Sequence, residues 1–246
     1  MRFISPKTDL GFKKIFGSPQ SKEILISFLN AILYEGKPTI KDLEIIYPYC
    51  SLKIEGMKET YLDAQAFLSS GQKAIVEMQV LNVPTIEKRI LYDAVKFYSL
   101  PIDKGEKYSP SNPLIALTIT DFIMFDDSEE IISRFVLKEK ERLTNYSESD
   151  LELVFVELPK FYKKLEELEN EKDKWLFFLK HNDEFSEVPA EFEKSPVFKK
   201  AFYNATKAHL TNEELWVLFR QEIFIKDLLG SRKLAFKKGV EQGKAE

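Results

Sequence analysis

The sequence contains few of the residues that disulfide scaffolds and zinc enzymes require. It has one cysteine, Cys50, and two histidines, His181 and His209. A single cysteine cannot form an internal disulfide, which is consistent with a reducing compartment. Neither histidine has neighbours at the spacing of metal ligands, and Ser69 and Ser111 have no partnered base. We therefore expect neither a disulfide-stabilised fold, nor a zinc site, nor a serine hydrolase.

Long apolar runs and an excess of basic residues are also lacking. No charge-free apolar run is long enough to span a bilayer, and the first residues lack the apolar centre of a signal peptide. The 36 Lys and Arg residues are outnumbered by 40 Asp and Glu residues, which gives a net charge of −4. This argues against coating of nucleic acid by charge alone, but it allows a nuclease with locally placed cations. We expect a cytoplasmic protein with no membrane partner.

The chain is large enough for one sizeable core, since 44% of its 246 residues are hydrophobic. Helix-like and strand-like segments are mixed in residues 1–160, which predicts an α/β or α+β core. Segment 113–122, PLIALTITDF, is almost continuously apolar and predicts a central strand buried on both faces. It follows a predicted helix at 86–100, so we expect a strand–helix–strand crossover onto one sheet.

The remainder of the chain has a helical pattern. We predict an appended helical region at 161–229, which would cover the sheet, support a dimer or read DNA. Residues 230–246 mix Lys, Glu and Gly and contain too few apolar residues to fold alone, which predicts a charged tail. The predicted helices of the appended region span residues 161–181, 195–208 and 212–229.

The stretch 61–80, YLDAQAFLSSGQKAIVEMQV, has the pattern of a β-hairpin. Two alternating, β-branched and aromatic segments, 61–68 and 73–80, are separated by a short turn sequence. Gly71 fits the third position of a three-residue loop, where the left-handed backbone costs glycine least. The sequence therefore predicts two antiparallel strands with Leu68 opposite Gln72.

This register brings two acidic residues together. Counting outward from the turn places Asp63 directly opposite Glu77, with Gln79 on the same face. Like charges facing each other across a strand pair are destabilising, unless one carboxyl pKa rises or a cation binds between them. Two carboxylates, a backbone carbonyl and waters form a hard-oxygen site suited to Mg²⁺ or Mn²⁺. The alternative interpretation is a solvated face without function, and the spacing alone fits both.

Asp63 with Glu77-Met78-Gln79 resembles the D…E-x-K core of the PD-(D/E)XK nuclease superfamily. More narrowly, the chain resembles the recombination-promoting nucleases of bacteria, a family also classed with transposases, in which Gln commonly takes the Lys place. The order and spacing of several stretches carry the resemblance. Besides the core they are Thr8-Asp9, Gly11-Phe12-Lys13, Phe16-Gly17, Arg89 to Tyr92 with Tyr98, and residues 235–243.

The resemblance implies a restriction-endonuclease-like core with a mixed central sheet flanked by helices. It also implies a DNA endonuclease that uses Mg²⁺, for which Mn²⁺ can substitute, in recombination or in defence against foreign DNA. Asp63 and Glu77 would bind the metal, with the Met78 carbonyl as third ligand. Gln79 would be catalytic with the two acids, although a neutral Gln can only orient groups or donate a hydrogen bond.

Five further residues are candidates for substrate binding. Arg89, Tyr92 and Lys96 share one face of the predicted helix at 86–100, and Arg89 matches the geometry of a phosphate group. Asp9 and Lys13 lie on a predicted helix at 8–17. Asp9 is alternatively a helix cap, and Arg89 alternatively belongs to an exposed face of ion pairs.

A second function is also consistent with the sequence. A catalytically weak or inactive protein on the same fold would act through oligomerisation or partner binding, with the carboxylates as relics. In that case the helical region or the tail would form a homodimer or bind a partner.

Overall fold

The computed structural model describes residues 3–46, 63–99, 112–146 and 150–243, and these contain a mixed six-stranded sheet. Its spatial order is β1-β2-β3-β4-β6-β5, in which β3, β4 and β6 run parallel and the remaining pairs are antiparallel. The expected α/β architecture with a mixed central sheet is confirmed. The strands are β1 (Leu43–Ile46), β2 (Ala64–Leu68), β3 (Lys73–Gln79), β4 (Leu114–Thr120), β5 (Ile132–Val136) and β6 (Leu151–Glu157).

Seven α-helices accompany this sheet in the described part of the chain. They are α1 (Asp9–Phe16), α2 (Lys22–Leu33), α3 (Ile86–Tyr98), α4 (Glu171–His181), α5 (Ala190–Glu193), α6 (Pro196–Asn204) and α7 (Asn212–Gly243). None of them is both long enough and apolar enough to cross a membrane.

The hairpin of β2 and β3 has the predicted register. Ala64 pairs with Val76 and Phe67 with Lys73, so one further step outward leads to Asp63 and Glu77. Gly71 occupies the turn with φ +87°, the left-handed conformation for which the glycine was expected. Asp63 directly precedes β2, while Glu77 and Gln79 lie within β3.

The crossover from β3 through α3 to β4 is parallel, as expected. Every residue of β4 is buried, because the sheet is covered on both faces at this position. On one face Ile75, Leu114 and Ala116 pack against Ala94 and Phe97 of α3. The other face belongs to the main hydrophobic core.

The helices after residue 160 complete that main core. Trp175 of α4 is fully buried and packs against Phe16 of α1, Phe28 of α2 and Phe198 of α6. One hydrophobic cluster therefore joins the N-terminal helices, the sheet and the predicted helical region. The predicted boundary near residue 160 is crossed by shared packing, and α7 continues through the predicted start of the tail at residue 230.

Helix α7 lies against α1. Lys14 forms an ion pair of 2.5 Å with Glu214. The Gln221 amide oxygen accepts a hydrogen bond of 3.3 Å from the backbone N–H of Leu10. Leu218, between these two contacts, is buried. These contacts bring α7 to the side of the sheet where Asp63 and Glu77 lie.

The sequence also predicts an extended segment at 52–60 and a polar loop at 103–112. Apart from residue 112, both lie outside the described residues.

Replacing Trp175 by alanine should lower the free energy of unfolding by about 3–5 kcal/mol, because the change leaves a large cavity among packed aromatic rings. Urea unfolding followed by far-ultraviolet circular dichroism measures this. A single shifted transition is expected, since the sheet and α4 share one core. Trp216→Ala is the matched control, because that indole is exposed and its loss should change stability by no more than about 0.5 kcal/mol. Separate transitions for helices and sheet would contradict the shared core.

Candidate active site

Asp63 is held at the open end of the hairpin. Its side chain is buried, and its Oδ2 accepts a hydrogen bond of 2.8 Å from the backbone N–H of Met78. Gly17, which ends α1, packs so closely that an added Cβ would lie 3.1 Å from the Asp63 carbonyl oxygen. Burial raises the pKa of Asp63 well above its usual value, and the charges of Asp9 and Glu77 raise it further. The Met78 N–H and the Lys13 charge oppose that rise.

Glu77 lies on the face of β3 that is covered by α3. Its side chain is 12% exposed, and its Oε1 lies 3.5 Å from a guanidinium nitrogen of Arg89. Burial raises the pKa of Glu77 from 4.5 to about 7, and the nearby charge of Asp93 contributes to the rise. The charge of Arg89 and the hydrogen bond from the Gln79 amide lower the pKa of Glu77. Both acids therefore occupy sites where a negative charge is disfavoured unless a cation accompanies it.

Gln79 connects Glu77 to Arg89. Its amide nitrogen donates a hydrogen bond to Glu77 Oε1, and its amide oxygen accepts a bond of 2.5 Å from Arg89. The guanidinium can only donate, so it determines which way the Gln79 amide points. As a result, Arg89, Gln79 and Glu77 form one chain of donors and acceptors.

The backbone of β3 directs one carbonyl oxygen, that of Met78, towards β2. Gln79 carbonyl oxygen accepts from Asp121 N–H on the β4 side. Backbone groups of successive strand residues alternate between the two neighbours, so the Met78 carbonyl points to the β2 side, where Asp63 lies. This arrangement agrees with Met78 N–H donating to Asp63.

The donor chemistry at this position fits a hard divalent cation. Asp63, Glu77 and the Met78 carbonyl would provide oxygen ligands of the kind that Mg²⁺ and Mn²⁺ prefer. In the described ranges, no three Asp, Glu, His or Cys side chains form a group that could hold a metal ion. Water and substrate oxygens would have to complete the coordination, as is usual for Mg²⁺.

The two candidates on α1 occupy the same end of the sheet. Thr8 is the cap of α1, because its Oγ1 accepts a bond of 3.0 Å from Gly11 N–H. Asp9 is therefore not the helix cap, and its carboxylate instead forms an ion pair of 2.5 Å with Lys13. Asp9 Oδ2 also lies 3.5 Å from the Gln221 amide nitrogen. The charge of Asp9 raises the pKa of Asp63, and the charge of Lys13 lowers it.

The residues of the predicted binding face on α3 differ in their environments. Arg89 reaches Glu77, and Lys96 and Asp93 are buried on this helix. Tyr92 instead is 43% exposed, and its neighbours Leu91 and Val95 are exposed to a similar extent. Helical spacing predicts which residues share a face of the helix. It does not predict which of those residues the sheet covers.

Helix α7 contributes residues that the sequence did not indicate. Gln221, Phe224 and Ile225 line a cavity of about 240 Å³ together with Asp9, Gln79 and Arg89. More than 130 residues separate these side chains from Arg89 in the chain. Neither spacing nor composition marks them, because only the packing of α7 on α1 brings them to the site.

A mixed sheet with helices on both faces, carrying an acidic hairpin, defines a restriction-endonuclease-like α/β protein. Residues 6–229 of the 246 match the family described as PD-(D/E)XK nuclease family transposase, and the chain belongs to this family. A comparison with curated proteins returned no match, and neither did a comparison with solved structures. Membership supports a nuclease activity on DNA, and nucleases of this kind generally use divalent metal ions.

The raised pKa of Glu77 predicts a pH dependence of stability. The folded state favours protonated Glu77, so this contribution to stability is present below pH 4.5 and is lost as the pH rises to about 7. In chelator, the wild type should lose up to about 3 kcal/mol across this window relative to Glu77→Gln. Urea unfolding at both ends of the window measures the difference.

The control for this measurement is Glu87→Gln, which removes an exposed acid from α3. Its pH dependence should equal that of the wild type. A wild type and a Glu77→Gln variant with the same pH dependence would contradict the assigned burial of the Glu77 charge.

Proposed function

We propose that this protein is a metal-dependent endonuclease that hydrolyses phosphodiester bonds in DNA. The observation that carries the proposal is the pair of acids at the open end of one hairpin, of which Asp63 is buried and Glu77 is 12% exposed. Burying two carboxylates with raised pKa values is unfavourable for folding, and a divalent cation between them offsets that cost. Membership of a nuclease family agrees with this chemistry.

The metal site would consist of Asp63, Glu77 and the Met78 carbonyl, with Mg²⁺ as the ion and Mn²⁺ as a substitute. A cation held there supplies polarisation of a phosphoryl oxygen and activation of water. Gln79 occupies the place of the superfamily lysine and carries no charge of its own. Its amide, fixed by Arg89, would orient Glu77 and keep the carboxylate directed at the site.

The substrate would approach from the side where α1 and α3 provide cations. Arg89 is 48% exposed at its side chain, so its guanidinium can contact a phosphate while remaining next to Gln79. Lys13, Lys96, Tyr92 and Asp9 are the further candidates for this surface. Local cations matter here because the whole chain carries a net charge of −4. We place the activity in recombination or in defence against foreign DNA.

Removal of either acid should abolish most of the activity. Asp63→Asn and Glu77→Gln keep the size of each side chain, but each removes a charged ligand, so plasmid nicking with Mn²⁺ should fall by about 100-fold or more. Glu87→Gln is the control and should cleave like the wild type. Equal nicking by all four proteins, followed on agarose gels, would remove the proposal.

Arg89 should affect the pH profile as well as the rate. The guanidinium lowers the pKa of Glu77, so Arg89→Ala should move the acidic limb of the cleavage profile to higher pH. We expect the maximal rate to fall by roughly 10-fold, because the Gln79 amide is no longer fixed. Lys88→Ala removes a neighbouring exposed cation of α3 and should leave the limb in place. An unshifted limb in Arg89→Ala would show that Arg89 does not act through Glu77.

A specific observation also supports the second candidate function, a nuclease-fold protein that acts through oligomerisation. Helix α7 presents exposed Trp216 and Phe219, and its residues 231–242 are exposed throughout. Exposed aromatic side chains of this kind are typical of protein–protein contacts. Calorimetric titration with Mn²⁺ separates the two candidates, since absence of both metal binding and cleavage favours the second.

A further inference from the structure

A cavity lies beside the proposed site, between α1, the end of β3, α3 and α7. Its volume is about 240 Å³. Asp9, Gln79 and Arg89 form its polar side, and Phe224 and Ile225 form its apolar side. Both sides belong to the same cavity, so a ligand there would contact charged and aromatic groups at once.

The apolar side is fixed in position by contacts between α7 and α1. Glu214 is paired with Lys14 at 2.5 Å, and Gln221 contacts Leu10 N–H at 3.3 Å. Phe224 lies three residues beyond Gln221, almost one helical turn further along the same side of α7. Its ring is therefore carried to the rim of the cavity by a helix that is anchored at two points.

The exposure of Phe224 distinguishes it from a core residue. The residue is 60% exposed although it lines the cavity. An exposed aromatic ring and a guanidinium that line one cavity can together bind single-stranded nucleic acid, because bases stack on aromatic rings and phosphates pair with cations. The negative charge of Asp9 in this cavity is offset in part by its ion pair with Lys13.

The size of the cavity limits what can enter. Pockets that hold drug-sized ligands have volumes of roughly 300–1,000 Å³. At about 240 Å³, this cavity is smaller than that, which suits a single nucleotide better than a base pair. A strand bound there would therefore present an unpaired nucleotide.

We propose that the cavity beside Glu77 binds an unpaired nucleotide of a DNA strand, with Phe224 as the stacking surface for its base and Arg89 as the contact for its phosphate. This inference rests on the proposed nuclease function and adds its substrate class, which is single-stranded DNA or DNA with locally unpaired bases. Phe224 acts as a residue that binds and positions the substrate.

Binding can be measured without cleavage. Fluorescence anisotropy in EDTA, with a short fluorescein-labelled single strand and its blunt duplex as probes, gives the dissociation constants. Phe224→Ala should weaken binding of the single strand by about 10-fold, because stacking on one base is lost. The same change should alter duplex binding by less than about 2-fold, and Phe224→Tyr should restore single-strand binding.

Phe219→Ala is the matched control on the same helix. Phe219 is 53% exposed but lines a different cavity with Asn212, Leu215 and Trp216. Five residues separate it from Phe224, which places it about 140° away around the helix. Its removal should leave binding of both probes unchanged.

Each outcome decides the inference. Equal single-strand binding by Phe224→Ala and the wild type overturns it, as does equal weakening by Phe219→Ala. Tighter duplex binding by Phe224→Ala would also overturn it, because the ring would then obstruct the substrate. The nuclease proposal fails by a different result, namely cleavage that does not depend on Asp63 and Glu77. The anisotropy measurement does not depend on that result, because it is made in EDTA.

Discussion

The site depends on one electrostatic constraint, the placement of a buried and a largely buried carboxylate at the open end of the β2–β3 hairpin. Asp63 and Glu77 both have raised pKa values, chiefly because burial removes them from water. The groups around them reduce that cost: the Met78 N–H donates to Asp63, while Gln79 and Arg89 contact Glu77. Even with these partners, the pKa values of both acids stay above their usual values. A site that disfavours its own charges in this way has a physical reason to bind a divalent cation.

The scaffold holds this hairpin from both faces of the sheet. Helix α3 covers the face on which Glu77 lies and supplies Arg89, while the main core packs against the other face. Trp175 links that core to helices from both ends of the chain. The helices after residue 160 are thus part of the support of the site. Through α7 they also form part of its rim.

Several predictions made from the sequence were confirmed because they depend on short-range rules. The glycine turn set the hairpin register, and the apolar run in β4 indicated a strand covered on both faces.

The prediction of a helix from residue 161 was wrong at its start, since α4 begins at Glu171. There Asn170 accepts a hydrogen bond of 2.9 Å from Asp173 N–H, and this cap marks the first turn. The cap signal was present in the sequence, but the apolar spacing before it suggested a longer helix.

The sequence by itself determined the family, the hairpin and the proximity of Asp63 and Glu77, because turn geometry and strand alternation act over a few residues. The roles of these two acids as metal ligands stay a prediction. Only the tertiary structure decided that Arg89 directs the Gln79 amide, that Tyr92 is exposed, and that Phe224 reaches the rim of the cavity. Those outcomes depend on how whole helices pack across the sheet and on each other. Such packing is selected by the burial of many side chains at once, and no local pattern encodes it.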